Sequence, residues 1–198
     1  MSSLQLRRQD RMLTEPEARE LITDAYCGRV ATVGSDGWPY VVPLLHVFAA
    51  DVINMHNTAA RGHFRLNVER DARACFEVDE PVKVFDYGRF ECDSGLAYRS
   101  AIAYGRIRIV EDDDAKIRFC AARQLWHRRS RSAKSFYPRL DDVTMYALTV
   151  ERSTGKHCPL PPASEQWPTL DRTKSPNAKP PTQERSALSN GLPSAVRA

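Results

Sequence analysis

Residues 29–56, RVATVGSDGWPYVVPLLHVFAADVINMH, decide the fold. A short β-branched run at 29–33 leads into Ser35-Asp36-Gly37, a tight-turn signal, and then into a longer apolar run at 38–48. Ala49-Ala50-Asp51 turns the chain again into a third run at 52–56, so the stretch reads as a three-stranded antiparallel meander. Pro39 and Pro43 fall inside the middle strand and remove two ladder donors. Such prolines belong at an edge, at a bulge, or where a sheet opens.

Upstream, Thr14 and Glu17 form a T-x-x-E capping box with Pro16 in the first turn. Ala18, Leu21, Ile22 and Ala25 then fall on one helical face, and Gly28 is expected to stop the helix. Downstream, a short helix around Phe64 and Val68 leads to a strand at 72–78. A long strand is expected at 97–110 with Gly105 as its bend or bulge, and residues 79–96 between the two read as a loop. Asp112, Asp113 and Asp114 mark a helix N-terminus that runs to about residue 128, and 144–150 reads as a closing strand. This order predicts a mainly β fold with peripheral helices, an antiparallel barrel of six strands rather than a doubly wound sheet.

At 198 residues the chain has room for one domain and a tail. Eight of the thirteen prolines lie beyond residue 156 among Ser, Thr, Lys and Asn, so residues 1–154 are expected to form the domain and 155–198 a mostly disordered tail. Leu160 and Trp167 are its candidate anchors. Net charge is +4, of which the tail carries +3, and a near-neutral body argues against nucleic acid as an obligate partner. The five cysteines are widely spaced without a C-x-x-C pair, which argues for reduced thiols and no metal site. No apolar run is long enough for a bilayer, and the expected location is the cytoplasm, with no membrane partner. Phosphate-loop, dinucleotide, zincin and nucleophile-elbow motifs are absent.

Four blocks in order, GRVATVGSDGWPYVVPLLHVF, INMHNTAARGHFRLNVERDARACFEVD, YRSAIAYGRIRIVED and TVERSTGK, resemble the pyridoxamine 5'-phosphate oxidase-like FMN-binding split-barrel proteins. The resemblance is to the flavin-binding branch similar to nitroimidazole-resistance (nitroimidazole reductase) proteins, and it covers residues 5–157. It implies a six-stranded split β-barrel and a homodimer with FMN in clefts between subunits. By the resemblance, the loop His56, Asn57, Thr58, Arg61, Gly62, His63, Arg65 holds the phosphate. Gly62-His63 matches the family pattern, Phe64 replaces its lysine, and Arg61 or Arg65 is expected to supply the charge. Val42, Pro43, Leu44 and His46 correspond to the segment along the isoalloxazine ring, and Arg99-Ser100 to a pair contributed from the other subunit.

The implied chemistry is electron transfer from reduced FMN, with a nicotinamide as candidate donor, to a small-molecule acceptor, the flavoprotein being an oxidoreductase of flavin-reductase or nitroreductase type. No obligate acid or base is assigned, and His63 is the candidate proton donor. The C-terminal substrate motif of pyridoxamine phosphate oxidases is replaced here by STGKHCPLPP, which disfavours that substrate. A deazaflavin is an alternative cofactor for so altered a phosphate loop. Haem is another, because related barrels ligate it through a C-terminal histidine and His157 lies just past the expected last strand. A non-enzymatic alternative is an RNA-binding module built on Trp126 to Lys134, where Arg128, Arg129, Arg131 and Lys134 interleave with aromatics. A solvated helix end is the ordinary reading of such a run.

Overall fold

The computed structural model describes residues 8–87, 93–126 and 139–166. A 3-10 turn, Gln9–Arg11, and a two-residue strand β1, Met12–Leu13, precede helix α1, Glu15–Asp24. Then follow β2 Cys27–Val33, β3 Pro39–Ala49, β4 Val52–Thr58, α2 His63–Arg70, β5 Arg73–Asp86, β6 Ser94–Val110, α3 Asp113–Trp126 and β7 Val143–Cys158. Neighbouring strands run in the order β1-β7-β4-β3-β2-β5-β6, and β6 pairs with β7 as well. Six strands therefore close into a ring, and β1 attaches to β7 through Met12 and Leu13 opposite Lys156 and Gly155. Closure leaves no edge in the ring for a foreign strand to join. This is the six-stranded split barrel expected from the sequence.

Two compact units divide the chain. The first, residues 1–82 and 97–159, contains the barrel. Its core is lined by alternate residues of each strand, Val30, Leu44, Ile53, Met55, Phe76, Val78, Ala101, Ala103, Ile107, Tyr146 and Leu148, and is plugged by Leu21 and Ile22 of α1 and Phe64 and Val68 of α2. A second cluster, Val110, Phe119, Met145 and Ala147, joins α3 to the outer face of the sheet. The second unit comprises residues 83–96 and 160–198. Its described part holds the tip of the β5–β6 ribbon, where the Tyr87 amide donates to the Asp93 carbonyl at 2.9 Å, and a 3-10 turn, Ala163–Glu165. Leu160 is exposed, and Trp167 lies outside the described residues.

Local chemistry explains the turns. Thr14 caps α1 as expected, its Oγ1 accepting from the Glu17 amide at 3.4 Å while Glu17 Oε2 accepts from the Thr14 amide at 2.7 Å. The β3–β4 connection is a two-residue loop with both residues at positive φ, Ala50 at 49° and Asp51 at 62°, a backbone that matches strand twist even without glycine. Asp51 is also paired with Arg19 of α1.

Several boundaries differ from the sequence reading. Gly28 does not stop α1, which ends at Asp24; it lies inside β2, where a Cβ would overlap the Phe76 ring. Residues 79–96 are not a free loop, because β5 runs to Asp86 and β6 starts at Ser94. The closing strand passes residue 150 and reaches Cys158, since β6 supplies partners to residues whose own composition is Ser-, Thr- and Gly-rich. The irregularity expected at Gly105 is present: the β6–β7 register shifts between Tyr104 and Gly105. No helix among the described residues is long and apolar enough to cross a membrane.

Candidate functional site

Strands β3 and β4 separate along their length. β3 pairs with β2 from Pro39 to Leu45, but with β4 only from His46 to Ala49. β4 pairs with β7 along its whole length, so its last residues, His56 to Thr58, have β7 on one side and no β3 partner on the other. A split thus opens between the first half of β3 and the end of β4, and the two prolines fall in that half. The edge of β3 away from β2 carries no ladder there among the described pairings, leaving backbone polar groups free for another partner.

Alternation along β3 sorts the expected ring-contacting residues by face. Val42, Leu44 and His46 point into the barrel, and Val41, Pro43 and Leu45 point out. His46 is 1% exposed; its Nε2 donates to the Ile22 carbonyl at 2.7 Å and its ring lies 4.7 Å from that of Phe76. Its side chain therefore supports the junction of α1 with the barrel. The outer face is apolar and open: Val41 is 56% exposed, and Val33, beside Pro39, is 43% exposed.

The loop after β4 ends at Gly62, the N-cap of α2. No side chain caps this helix, its first turn holds no acidic residue, and a Cβ at Gly62 would meet nothing within 4 Å. The first amides of such a helix have no intrahelical acceptor and lie at its positive end. His63 is the first helical residue, and its ring meets Tyr40 of β3 edge-on at 5.9 Å.

Two arginines flank this N-terminus and share one carboxylate. Arg61 Nη2 stands 2.7 Å and Nε 3.1 Å from Glu69 Oε2, and Arg65 Nε stands 3.0 Å from Glu69 Oε1. Hydrogen bonds from both guanidinium groups hold the Glu69 carboxyl below its usual range. Two cations against one anion leave the cluster positive. Arg65 is anchored further, its Nη1 donating to Thr144 Oγ1 of β7 at 3.3 Å and to the Ala59 carbonyl at 3.5 Å.

Thr58, the last residue of β4, is exposed on the outer face. His56 shares that face, its ring 5.5 Å from Phe119 of α3. Asn57 points inward beside Tyr146, and Asn57 Oδ1 and the Tyr146 hydroxyl are buried without completing a hydrogen bond of good geometry among the described residues. Burial pushes the Tyr146 phenol up, against the pull of Arg65 and of the Asn57 and Thr144 dipoles.

Arg99 and Ser100 do not join this cluster within one chain. They face His157 and Lys156 on β7, whereas His56 and Asn57 face Met145 and Thr144. About twelve residues of strand, roughly 40 Å of contour, separate the two places. Arg99 Nη2 pairs with Glu80 at 2.7 Å. His157 lies inside β7 rather than beyond it. No group of three His, Cys, Asp or Glu among the described residues could hold a metal ion. The basic stretch Trp126 to Lys134 lies outside the described residues apart from Trp126, the last residue of α3.

Three residues escaped the sequence reading: Glu69, Thr144 and Tyr40. Only Glu69 left a trace there, as a carboxylate four residues after Arg65 on the same helical face.

Comparison with known proteins adds the following. A family model described as pyridoxamine 5'-phosphate oxidase matches residues 14–157. Among solved structures, a protein proposed to confer 5-nitroimidazole antibiotic resistance in Bacteroides thetaiotaomicron is 20% identical, with a TM-score of 0.61 over 73% of this chain and 85% of that one. The FAD and heme binding protein of Mycobacterium smegmatis is 21% identical, with a TM-score of 0.63 over 93% and 94%. The flavocytochrome Anf3 of Azotobacter vinelandii is 16% identical, with a TM-score of 0.63 over 90% and 86%. These similarities are of fold. No curated protein matches the chain.

Proposed function

Because the chain belongs to the pyridoxamine 5'-phosphate oxidase family, we propose that it is a flavin-binding oxidoreductase that passes electrons to a small acceptor. The observation that carries this reading is the pairing of an uncapped helix N-terminus with two arginines, directly beside the opening between β3 and β4. An anionic tail needs amide and guanidinium donors, and an attached flat ring needs an apolar slot with free backbone groups at its margin. Arg61, Arg65 and the first-turn amides of α2 from His63 onward meet the first need; the outer face of Val41, Pro43 and Leu45, with its unladdered edge, meets the second.

When bound, FMN supplies the hydride chemistry, and the protein's task is to bind, orient and exclude water. The exposed Val33 and Val41 would lie against the ring or a second copy. His63, exposed at the loop and braced by Tyr40, is the side chain best placed to hold a proton near the cofactor. A homodimer fits the distance between the two halves of the expected site, since Arg99 and Ser100 can reach a cluster around Arg65 only from another copy. Neighbours described as binding FAD, or FAD and heme, support a flavin more broadly than FMN alone. Pyridoxamine phosphate oxidation is disfavoured, because the stretch where its substrate arginine is expected, STGKHCPLPP from Ser153 to Pro162, contains no arginine.

The test is to denature the purified full chain and identify any released chromophore by mass spectrometry alongside the native absorbance spectrum. A released flavin mononucleotide supports the reading. An intense Soret band without flavin replaces it with haem binding, and failure of the apo-protein to take up FMN or FAD overturns it.

A further inference from the structure

Next along the outer face from the β3–β4 opening, α3 lies over the sheet and leaves a pocket of about 370 Å³. Its floor is a single cross-strand row. Val47 of β3 faces Asn54 of β4, Asn54 faces Ala147 of β7, and Ala147 faces Arg108 of β6. Phe119 and Arg118 of α3 line the other side. The pocket is apolar except for Asn54 and the two arginines, and none of its lining residues is a carboxylate.

The charge in this pocket is not answered from within. Arg108 makes no hydrogen bond or ion pair among the described residues, unlike Arg106 one row away, whose Nε stands 3.1 Å from Glu151. Arg118 has only a distant partner, Asp112 at 3.5 Å, and both of those side chains are largely exposed. Two guanidinium groups, one on the sheet and one on the helix, thus flank an apolar hollow whose volume lies in the range of small-ligand sites.

We propose that this pocket binds a small amphipathic carboxylate, its hydrocarbon body on Val47, Ala147 and Phe119 and its carboxylate between Arg108 and Arg118. Guanidinium forks match carboxylate geometry, and burial of an apolar body adds affinity that a free inorganic anion would lack. The pocket is lined by none of the residues assigned to the cofactor, and it adjoins them through Phe119, whose ring meets His56.

Isothermal titration of the full chain with octanoate, and separately with octan-1-ol, tests the proposal. Saturable binding of octanoate is expected, with octan-1-ol weaker by about tenfold or more because it lacks the charge-assisted bonds. Arg108→Ala and Arg118→Ala should each weaken octanoate to a similar degree, and Arg106→Ala should leave it unchanged. Ala122→Trp, which fills the pocket from α3, should abolish binding while flavin content and far-ultraviolet circular dichroism stay as in the parent. No saturable binding by the parent, equal affinity for the alcohol, or undiminished octanoate binding by folded Arg108→Ala and Ala122→Trp would each overturn it.

Discussion

Arg65 and Glu69 stand one helical turn apart on α2, with Nε 3.0 Å from Oε1, and Glu69 also takes the Arg61 guanidinium. The shared carboxylate orders both arginines before any ligand arrives. Arg65 is held on a second side by Thr144, while the Arg61 side chain is 68% exposed and has no further tether among the described residues. A preorganised donor loses less freedom on binding, so the two arginines are not equivalent.

Arg65→Ala is therefore expected to weaken FMN more than Arg61→Ala does. The loss should be about tenfold or more for Arg65, in line with a charge-assisted bond to phosphate. Riboflavin, which lacks the phosphate, should be affected little by either change. Fluorescence titration of apo-protein with both ligands measures this, and equal losses for FMN and riboflavin would place the phosphate elsewhere.

Mixing subunits tests whether one cofactor site draws on two copies. Arg99→Ala and the double variant Arg61→Ala, Arg65→Ala should each bind FMN poorly alone. After unfolding and refolding together, roughly a quarter of the sites should regain parental affinity, because half the dimers are mixed and each has one intact site. No recovery, or a monomer by sedimentation, counts against a shared site.

Gly105 tolerates no side chain for a geometric reason. A Cβ there would overlap the carbonyl oxygen of Thr149, a backbone atom that β7 cannot withdraw without losing its pairing with β6. Gly105→Ala should cost about 3 kcal/mol or more, at the upper end of overpacking changes. Gly62→Ala, at a position with open space, meets no clash and should cost about 1 kcal/mol or less, the difference between glycine and alanine as an N-cap. Urea unfolding of the two variants gives the comparison.

Asp71 carries a pH signature. Hydrogen bonds from the Arg73 side chain, at 2.7 Å, and from its amide, at 2.9 Å, lower the carboxyl to about 2. A carboxyl depressed on folding adds stability above its unfolded value, near 4, and that contribution fades as pH falls through about 2. The stability gap between parent and Asp71→Asn should accordingly be full at pH 7 and shrink steadily below pH 4. A gap that does not change with pH would mean that the asparagine loses something other than charge.

Local chemistry made much of the barrel legible in advance. Thr14 and Glu17, Ser35-Asp36-Gly37 and Gly105 each specify a cap, a turn or a bulge through bonds or sterics confined to a few residues. The meander followed from them. Elsewhere the signal was blurred: half of residues 79–86 are charged and 151–158 are polar, and both segments are strands because β6 offers them a partner. Of the candidate site, the loop from His56 to Arg65 was proposed from the resemblance of Gly62-His63 to a family pattern, with Arg61 or Arg65 expected to supply the charge. Glu69 as their common anion was not, since a carboxylate on an exposed helix is ordinarily a solvated one.

By itself the sequence determined which segments are extended, where the chain turns, and that a basic loop precedes a helix, because these depend on backbone preferences and near neighbours. Only the tertiary structure decided that His46 turns inward and Pro43 outward, that β4 loses β3 after Met55 while keeping β7, and that Arg99 stands far from Arg65. Val41 to Phe48 is apolar on both faces save for one histidine, so alternation alone carries no direction there. Direction comes from the closure of the ring, which makes one face the interior and opens the other.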